Sequence, residues 1–327
     1  MKCFYFNSKV KNDEPKTTKS ISIQSSTSVS MTTDNEMRRS GSESNSRNVS
    51  DFSSNSSTKN SFAVMSQRQR VQSEAQKIPT RKSTLLLNSS TERGFQGHKE
   101  WVTEVNVLGV VEHQNLVKLM GYCAEDDERG IQRLLIYEYM PNGSVQDHLS
   151  TRLQTTLPWA TRLTIARDAA QGLAFLHEGM DFQIIFRDFK SSNILLDEHW
   201  NAKLSDFGLA RLGPSDGLSH VSTAVVGTIG YAAPEYIQTG RLTVKSDVWS
   251  YGVFLYELIT GRRPLDRNRP KGEEKLLEWV RPHLSNLKKF RLIIDPRLDG
   301  KYSIESAHKL VLLLTIAWLV NPNYVPK

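Results

Sequence analysis

Cysteine is scarce in this sequence of 327 residues, which contains only Cys3 and Cys123. They are far apart and form no zinc-ligand spacing, which argues against a disulfide scaffold and fits a reducing compartment. Long apolar runs are missing too, since the longest, Leu310–Val320, is too short to span a bilayer as a helix. The first ten residues contain no apolar stretch typical of a secretory signal, so we expect a cytoplasmic protein.

The net charge of +7 belongs to the N-terminal segment. Residues 1–93 contain 15 Lys and Arg against 8 Asp and Glu, whereas the remaining residues contain 27 of each. Because no basic cluster marks the remainder, we expect no nucleic-acid partner. The segment is interpreted either as a solvated tail or as one weakly attracted to an anionic membrane. Cys3, beside three aromatic residues, is either an idle thiol or an S-acylated anchor at the inner face of the plasma membrane, and Lys2 excludes N-myristoylation.

The sequence divides into a polar N-terminal segment and a longer segment in which apolar residues recur at regular spacing. Residues from about 10 to 90 are rich in Ser, Thr, Asn and Gln without apolar periodicity, which predicts disorder. From His98 onward, strand-like runs precede long apolar helices without β-α-β alternation, which predicts an α+β fold of two lobes. The predicted elements are a helix at 98–108, strands at 115–123 and 133–139, and helices at 163–177 and 246–260.

Three short motifs follow one another in the second half of the chain. They are Phe186-Arg-Asp-Phe-Lys-Ser-Ser-Asn193, Asp206-Phe-Gly208 and Ala233-Pro-Glu235. A lone Asp-Phe-Gly carries no information, but the three in this order have the layout of a phosphoryl-transfer site. Asp188 can accept a hydroxyl proton, and Lys190 can neutralise charge on the γ-phosphate. Asn193 and Asp206 offer the oxygen ligands that Mg²⁺ prefers.

On these motifs the chain resembles the eukaryotic protein kinases, and more narrowly the plant receptor-like cytoplasmic kinases that relay immune-receptor signals. The resemblance covers about residues 93–316. It rests on the stretches 97–123, 184–193 and 221–236. It implies a serine/threonine kinase that transfers the γ-phosphate of ATP to protein hydroxyls with Mg²⁺ as cofactor. The implied partners are protein substrates and upstream receptor-like kinases, with a peripheral membrane contact as a further option.

The resemblance also implies a bilobal protein-kinase-like fold with an incomplete N-lobe sheet and a mostly helical C-lobe, preceded by a disordered tail. We predict a disordered Ser-rich basic tail at 1–92 and a partial N-lobe with the hinge at 93–140. The C-lobe is predicted at 141–316 and a divergent C-terminal tail at 317–327.

Individual roles follow from the resemblance as well. The catalytic residues are Asp188, Lys190 and Asn193, and the metal ligands are Asn193 and Asp206. The nucleotide-binding residues are Glu104, Glu138, Met140, Leu195 and Asp206. The candidate phosphorylation sites are Ser222, Thr223 and Thr228, where a phosphate could pair with Arg187. For Thr228 a second interpretation stands, as a substrate-docking residue bonded to Asp188 and Lys190.

Two parts of the family pattern are absent from the sequence. No Gly-x-Gly-x-x-Gly precedes Glu104, and the family spacing places Asn88 where the ATP-pairing lysine should stand. After about Leu314 the sequence diverges, and the arginine that would pair with Glu235 is missing. We therefore expect weak or no phosphotransfer from this chain. A second hypothesis stays open, that of a catalytically impaired scaffold that binds receptor kinases.

Overall fold

The computed structural model describes residues 4–5, 84–88, 95–128, 130–150, 155–284 and 286–319. All of these residues belong to one compact unit. Apart from two short strands, the segment predicted as a disordered tail lies outside the described residues.

The N-lobe sheet has four described strands in the order β1-β3-β4-β2, and every neighbouring pair is antiparallel. The strands are β1 (Phe4–Tyr5), β2 (Thr84–Asn88), β3 (Leu119–Asp127) and β4 (Gly130–Glu138). Helix α1 (Phe95–Leu108) packs against strands β3 and β4 of this sheet. Both predicted strands form with shifted bounds, since β3 begins at 119 rather than 115 and extends to 127, and β4 begins at 130 rather than 133. The predicted helix is confirmed and begins three residues earlier than expected. Strand β2 lies beside β4, with Asn88 paired to Leu134, so a short strand occupies this edge although its sequence contains no lysine.

The C-lobe is mostly helical, as predicted. Its helices are α2 (Val145–Leu149), α3 (Trp159–Glu178), α4 (Pro234–Thr239), α5 (Val244–Thr260), α6 (Leu276–Val280), α7 (Leu287–Phe290) and α8 (Ile304–Leu319). Three small antiparallel pairs join β5 (Ile184–Ile185) to β8 (Arg211–Leu212), β6 (Ile194–Leu196) to β7 (Ala202–Leu204), and β9 (Val221–Ser222) to β10 (Arg241–Leu242).

Helix α5 forms the centre of the C-lobe. The sequence predicts a buried helix because apolar residues cover nearly every side, and the structure confirms this, since most of its side chains are buried. The Thr243 hydroxyl and Ser246 form a reciprocal cap at its start, and Gly261 ends it with a φ of 66°, a left-handed conformation that glycine adopts without strain.

The last described helix, α8, continues to Leu319, three residues beyond the predicted C-lobe boundary at 316. The apolar run that begins at Leu310 favours helix and contains no glycine or proline to end it. Among the residues that the structure describes, no helix is both long and apolar enough to cross a membrane.

Candidate active site

The three residues predicted to be catalytic lie in contact in the loop that follows β5. The Lys190 ammonium lies 2.5 Å from Asp188 Oδ2. The side-chain amide of Asn193 donates to the Asp188 carbonyl at 3.1 Å and reaches Oδ2 at 3.4 Å. Asp188 and Asn193 are both buried. The motif spacing therefore brings these groups together, while their catalytic roles stay predictions.

Asp206 is tied to the same loop through its neighbour. The backbone N–H and the hydroxyl of Ser205 both donate to the Asn193 carbonyl, at 2.8 and 3.0 Å. Asp206 has a φ of 66°, in the left-handed region that aspartate adopts more readily than most residues with a Cβ. Asp206 is exposed, but the protein around it still partly desolvates the carboxylate and raises its pKa. Lys190 opposes this shift, and Asp188 adds to it.

The residues present fit a magnesium ion. Mg²⁺ takes one or two protein carboxylates and completes its shell with phosphate oxygens and water. Asp206 and Asn193 supply a carboxylate and an amide oxygen, and the nearby carboxylate of Asp188 adds negative charge that a cation would relieve. Within the described part of the chain, no cluster of three or more His, Cys, Asp or Glu side chains could hold a metal. A magnesium ion held by Asn193 and Asp206 would take its remaining ligands from the nucleotide and water.

Glu104 of α1 points into the same region. It is buried, it accepts a hydrogen bond from the Tyr137 hydroxyl, and it contacts the backbone of Phe207. Burial and the charge of Asp206 raise the pKa of Glu104 to about 7, although the bond from Tyr137 opposes the shift. In the family this glutamate pairs with the lysine that the chain lacks. We did not foresee this role of Tyr137, although a hydroxyl in the apolar run 134–137 is a signal that it needs a buried partner.

Helix α1 also lies against the Asp-Phe-Gly turn. A Cβ added at Gly208 would lie 3.0 Å from Glu100 Cβ, so glycine permits this close approach. The rings of Phe207 and Phe186 meet edge to face with centroids 5.0 Å apart. The turn Asp206–Gly208 therefore contacts both α1 and the loop that begins at Phe186.

The predicted hinge residues lie at the end of β4 and just beyond it. The Glu138 carboxylate bridges to the Lys203 ammonium at 2.8 Å and accepts the Lys118 N–H at 2.8 Å. Met140 is buried, and Leu195 lies partly buried on β6. Because the Glu138 side chain is engaged by two lysine residues, adenine contacts at Glu138 and Met140 would come from their backbone groups. The Lys203 bridge was not foreseen from the sequence.

Arg187 contacts the activation segment, the stretch that runs from the Asp206-Phe-Gly208 motif to the Ala233-Pro-Glu235 motif. Its guanidinium donates to the Thr223 hydroxyl at 3.1 Å, to the Ala224 carbonyl at 2.5 Å and to the Tyr236 hydroxyl at 3.0 Å. Thr223 is therefore the candidate phosphorylation site that lies against the arginine. Ser222 is exposed on β9.

Thr228 has a different environment from the other two candidates. Its hydroxyl donates to Asp188 Oδ1 at 2.6 Å. This contact matches the part of the docking interpretation that involves Asp188. A phosphate at this position would face the Asp188 carboxylate, so the geometry favours docking over phosphorylation.

Helix α5 contacts the catalytic loop, residues 186–193, at two points. The Asp247 carboxylate accepts the N–H groups of Phe186 and Arg187, both at 2.7 Å. Ten residues further along, Glu257 accepts bonds from the hydroxyls of Tyr231 and Ser191.

Glu257 gives the protein a pH-dependent stability. Burial raises its pKa to about 7, while its two hydroxyl bonds oppose the shift. The folded state therefore binds this proton more tightly than the unfolded chain, so its contribution is lost as pH rises from about 5 to about 7. We expect the free energy of unfolding to fall by about 2–3 kcal/mol from this group between pH 5 and 8.

Denaturant titrations at pH 5 and pH 8 check this expectation. In Glu257→Gln the pH-dependent loss should shrink by that amount, since glutamine does not ionise. A loss of equal size in the parent and in the variant would contradict the prediction.

Among the described residues, one carboxylate oxygen at the start of α4 has no hydrogen-bond partner. Glu235 Oε1 is buried and makes no hydrogen bond in the described structure. The sequence lacks the arginine that the resemblance places opposite this carboxylate, and the unpaired oxygen is the expected consequence.

Comparison with known proteins agrees with this geometry. The protein kinase domain family matches residues 64–307. The serine/threonine-protein kinases PCRK1 and PCRK2 of Arabidopsis thaliana are 59% and 57% identical over the whole chain, which covers 85% and 84% of their lengths. The serine/threonine-protein kinase PBL34 of the same plant is 54% identical over 75% of this chain and 48% of its own length.

The alignment with PCRK1 has 362 positions, and this chain supplies 327 residues, so at least 35 positions are gaps on its side. The family match and the two full-length relatives confirm the resemblance. The chain therefore belongs to the protein kinase family, in the branch of the plant receptor-like cytoplasmic kinases.

Proposed function

We propose that this protein transfers the γ-phosphate of ATP to serine or threonine hydroxyls of proteins. The observation that carries the proposal is the contact network of Asp188, Lys190 and Asn193, joined to Asp206 through Ser205. Lysine two residues after the catalytic aspartate is the pattern of serine/threonine kinases. The three relatives all carry that activity in their names, so the comparisons give no support to the scaffold hypothesis.

In this mechanism Asp188 orients the attacking hydroxyl and accepts its proton. The adjacent Lys190 balances the Asp188 charge and stabilises the negative charge that develops on the transferred phosphoryl group. Asn193 and Asp206 would hold Mg²⁺, which neutralises phosphate charge when bound. Thr228, bonded to Asp188, positions the loop on which the substrate rests.

The missing glycine-rich loop and lysine lower the rate without removing this chemistry. Both normally hold and cover the ATP phosphates, and positioning supplies much of the catalysis in phosphoryl transfer. We therefore propose weak nucleotide binding and slow turnover.

The test is to measure nucleotide binding to the purified chain with and without Mg²⁺, followed by incorporation of labelled phosphate into a general protein substrate. We expect Mg²⁺ to strengthen ATP binding and slow incorporation to follow. Binding that does not depend on Mg²⁺, with no incorporation above background, would contradict the proposal and favour a scaffold.

The substrates and partners are proposed on chemical and family grounds. Protein hydroxyls are the acceptors, and receptor-like kinases are the upstream partners, in plant immune signalling. We further propose that the protein works in the cytoplasm at the inner face of the plasma membrane, through the basic N-terminal segment and Cys3. Cys3 itself lies outside the described residues.

Phosphorylation at Thr223 is proposed to activate the protein. A phosphate there would lie within reach of the buried Arg187 guanidinium and form charge-assisted hydrogen bonds. We expect Thr223→Ala to lower the substrate phosphorylation rate about tenfold in preparations where mass spectrometry finds the parent phosphorylated at Thr223.

The matched control, Ser222→Ala, removes an exposed hydroxyl one residue away and should leave the rate within about twofold. Equal rates for the parent and Thr223→Ala would contradict this role.

A further inference from the structure

A buried cluster of three polar side chains contacts the catalytic loop and has no role in the proposed phosphoryl transfer. Ser191, Tyr231 and Glu257 are all buried. The Ser191 hydroxyl donates to Glu257 Oε1 at 3.2 Å and lies 3.1 Å from the Tyr231 hydroxyl. The Tyr231 hydroxyl donates to the other oxygen of the same carboxylate.

These three residues come from three different elements. Ser191 begins the short 3₁₀ turn Ser191–Asn193 between Lys190 and the predicted metal ligand. Tyr231 follows Thr228 in the activation segment and donates its backbone N–H to the Thr228 carbonyl at 3.1 Å. Glu257 belongs to the central helix α5. One carboxylate therefore joins the catalytic loop and the activation segment to the most buried helix of the lobe.

Through Glu257 the catalytic loop gains a second attachment to helix α5. Asp247 on the same helix already holds the start of the catalytic loop through the N–H groups of Phe186 and Arg187. Ten residues of helix separate Asp247 from Glu257, about 15 Å along the axis. Asp188 and Lys190 lie between Phe186 and Ser191, so contacts of both flanking residues to one rigid helix keep these two catalytic groups in one orientation.

We propose that Ser191 is a positioning residue, whose hydroxyl binds the middle of the catalytic loop to Glu257 and, through Tyr231, couples that loop to the activation segment. Its effect on catalysis rests on the proposed function, but the coupling of the two loops does not require turnover.

Hydrogen–deuterium exchange on the full chain without nucleotide tests the coupling. Ser191→Ala removes the hydroxyl and leaves Glu257 Oε1 without its described partner. We expect exchange to accelerate about tenfold in both segments 186–196 and 226–233, while α5 keeps its parental rates. The matched control is Thr260→Ala, which removes a buried hydroxyl at the end of α5 that donates to the Tyr256 carbonyl at 2.7 Å, and it should leave both segments unchanged.

A second pair of variants tests the same coupling if Ser191→Ala does not fold. Tyr231→Phe removes another hydroxyl of the cluster and should loosen the same two segments. Its control, Tyr251→Phe, removes a hydroxyl that donates to the Ala166 carbonyl at 3.0 Å and should loosen neither. The proposal is overturned if the cluster variants leave exchange unchanged, accelerate only one of the two segments, or accelerate α5 equally.

Phosphotransfer adds a catalytic measurement. Ser191→Ala should lower kcat about tenfold and leave the KM for ATP within about twofold, because the hinge contacts stay intact. A rise in KM with unchanged kcat would contradict the positioning role. If the parent itself transfers no phosphate, the proposed function fails, and the exchange experiment alone decides this inference.

Discussion

Replacing Asp188 by asparagine is expected to lower phosphotransfer at least about 100-fold, the effect typical of losing a positioned general base. Asparagine has nearly the same shape but cannot take the substrate proton. It also loses the charge that holds Lys190 at 2.5 Å and presents a weaker acceptor to the Thr228 hydroxyl. The measurement is the initial rate of labelled phosphate incorporation, at saturating Mg²⁺ and ATP so that the slow parent is detected.

The control for this variant is Asp216→Asn, an exposed aspartate in the loop after β8, which should leave the rate within about twofold. Nucleotide affinity should also be similar in the parent and in Asp188→Asn, since the proposed metal ligands are Asn193 and Asp206. A variant that keeps more than about a tenth of the parental rate would show that Asp188 is not the base, and the proposed mechanism would fail.

The largest effect on stability is expected at Arg162. This arginine of α3 is 1% exposed, and its guanidinium lies 2.7 Å from Asp295 Oδ2. It also donates to the carbonyls of Leu157 and Leu258, at 3.0 and 2.7 Å. One side chain therefore satisfies three buried acceptors at the junction of α3, α5 and the 3₁₀ turn Pro296–Leu298.

Arg162→Leu is expected to lower the free energy of unfolding by about 3–5 kcal/mol, the usual loss when one partner of a buried ion pair is removed. Arg297 still bonds Asp295, at 2.8 Å, but the two carbonyls lose their donor. Guanidinium denaturation at constant pH measures the change. The matched control is Arg269→Leu, an arginine 41% exposed in a surface pair with Asp266, which should change stability by less than about 0.5 kcal/mol. Similar losses in both variants would show that burial of the Arg162 pair does not matter.

Secondary structure was predictable where apolar spacing was strong. The helix of Ser246–Thr260 was expected to be central because it is apolar on nearly every side, and α5 is that helix. The residues Asp188, Lys190 and Asn193 were expected together because a short loop of fixed spacing holds them, and their contacts agree.

Other parts of the site were not predictable, because their partners are far apart in sequence. Lys203 lies 65 residues from Glu138. The residues around each position show no pattern that distinguishes it from an ordinary charged residue on the surface. The hydrogen bond from Tyr137 to Glu104 depends on how α1 lies against β4. Such pairs form only when separate elements meet.

The sequence by itself determined the family, the order of the motifs and the missing glycine-rich loop and lysine, because these are properties of residue type and spacing along one chain. Only the tertiary structure decided what replaces the missing parts and what supports the loop. Glu104 bonds to Tyr137, Glu235 keeps an unpaired oxygen, and Glu257 joins Ser191 to Tyr231. The physical reason is that a buried carboxylate must find its donors in space, and folding, not chain order, decides which donors are within reach.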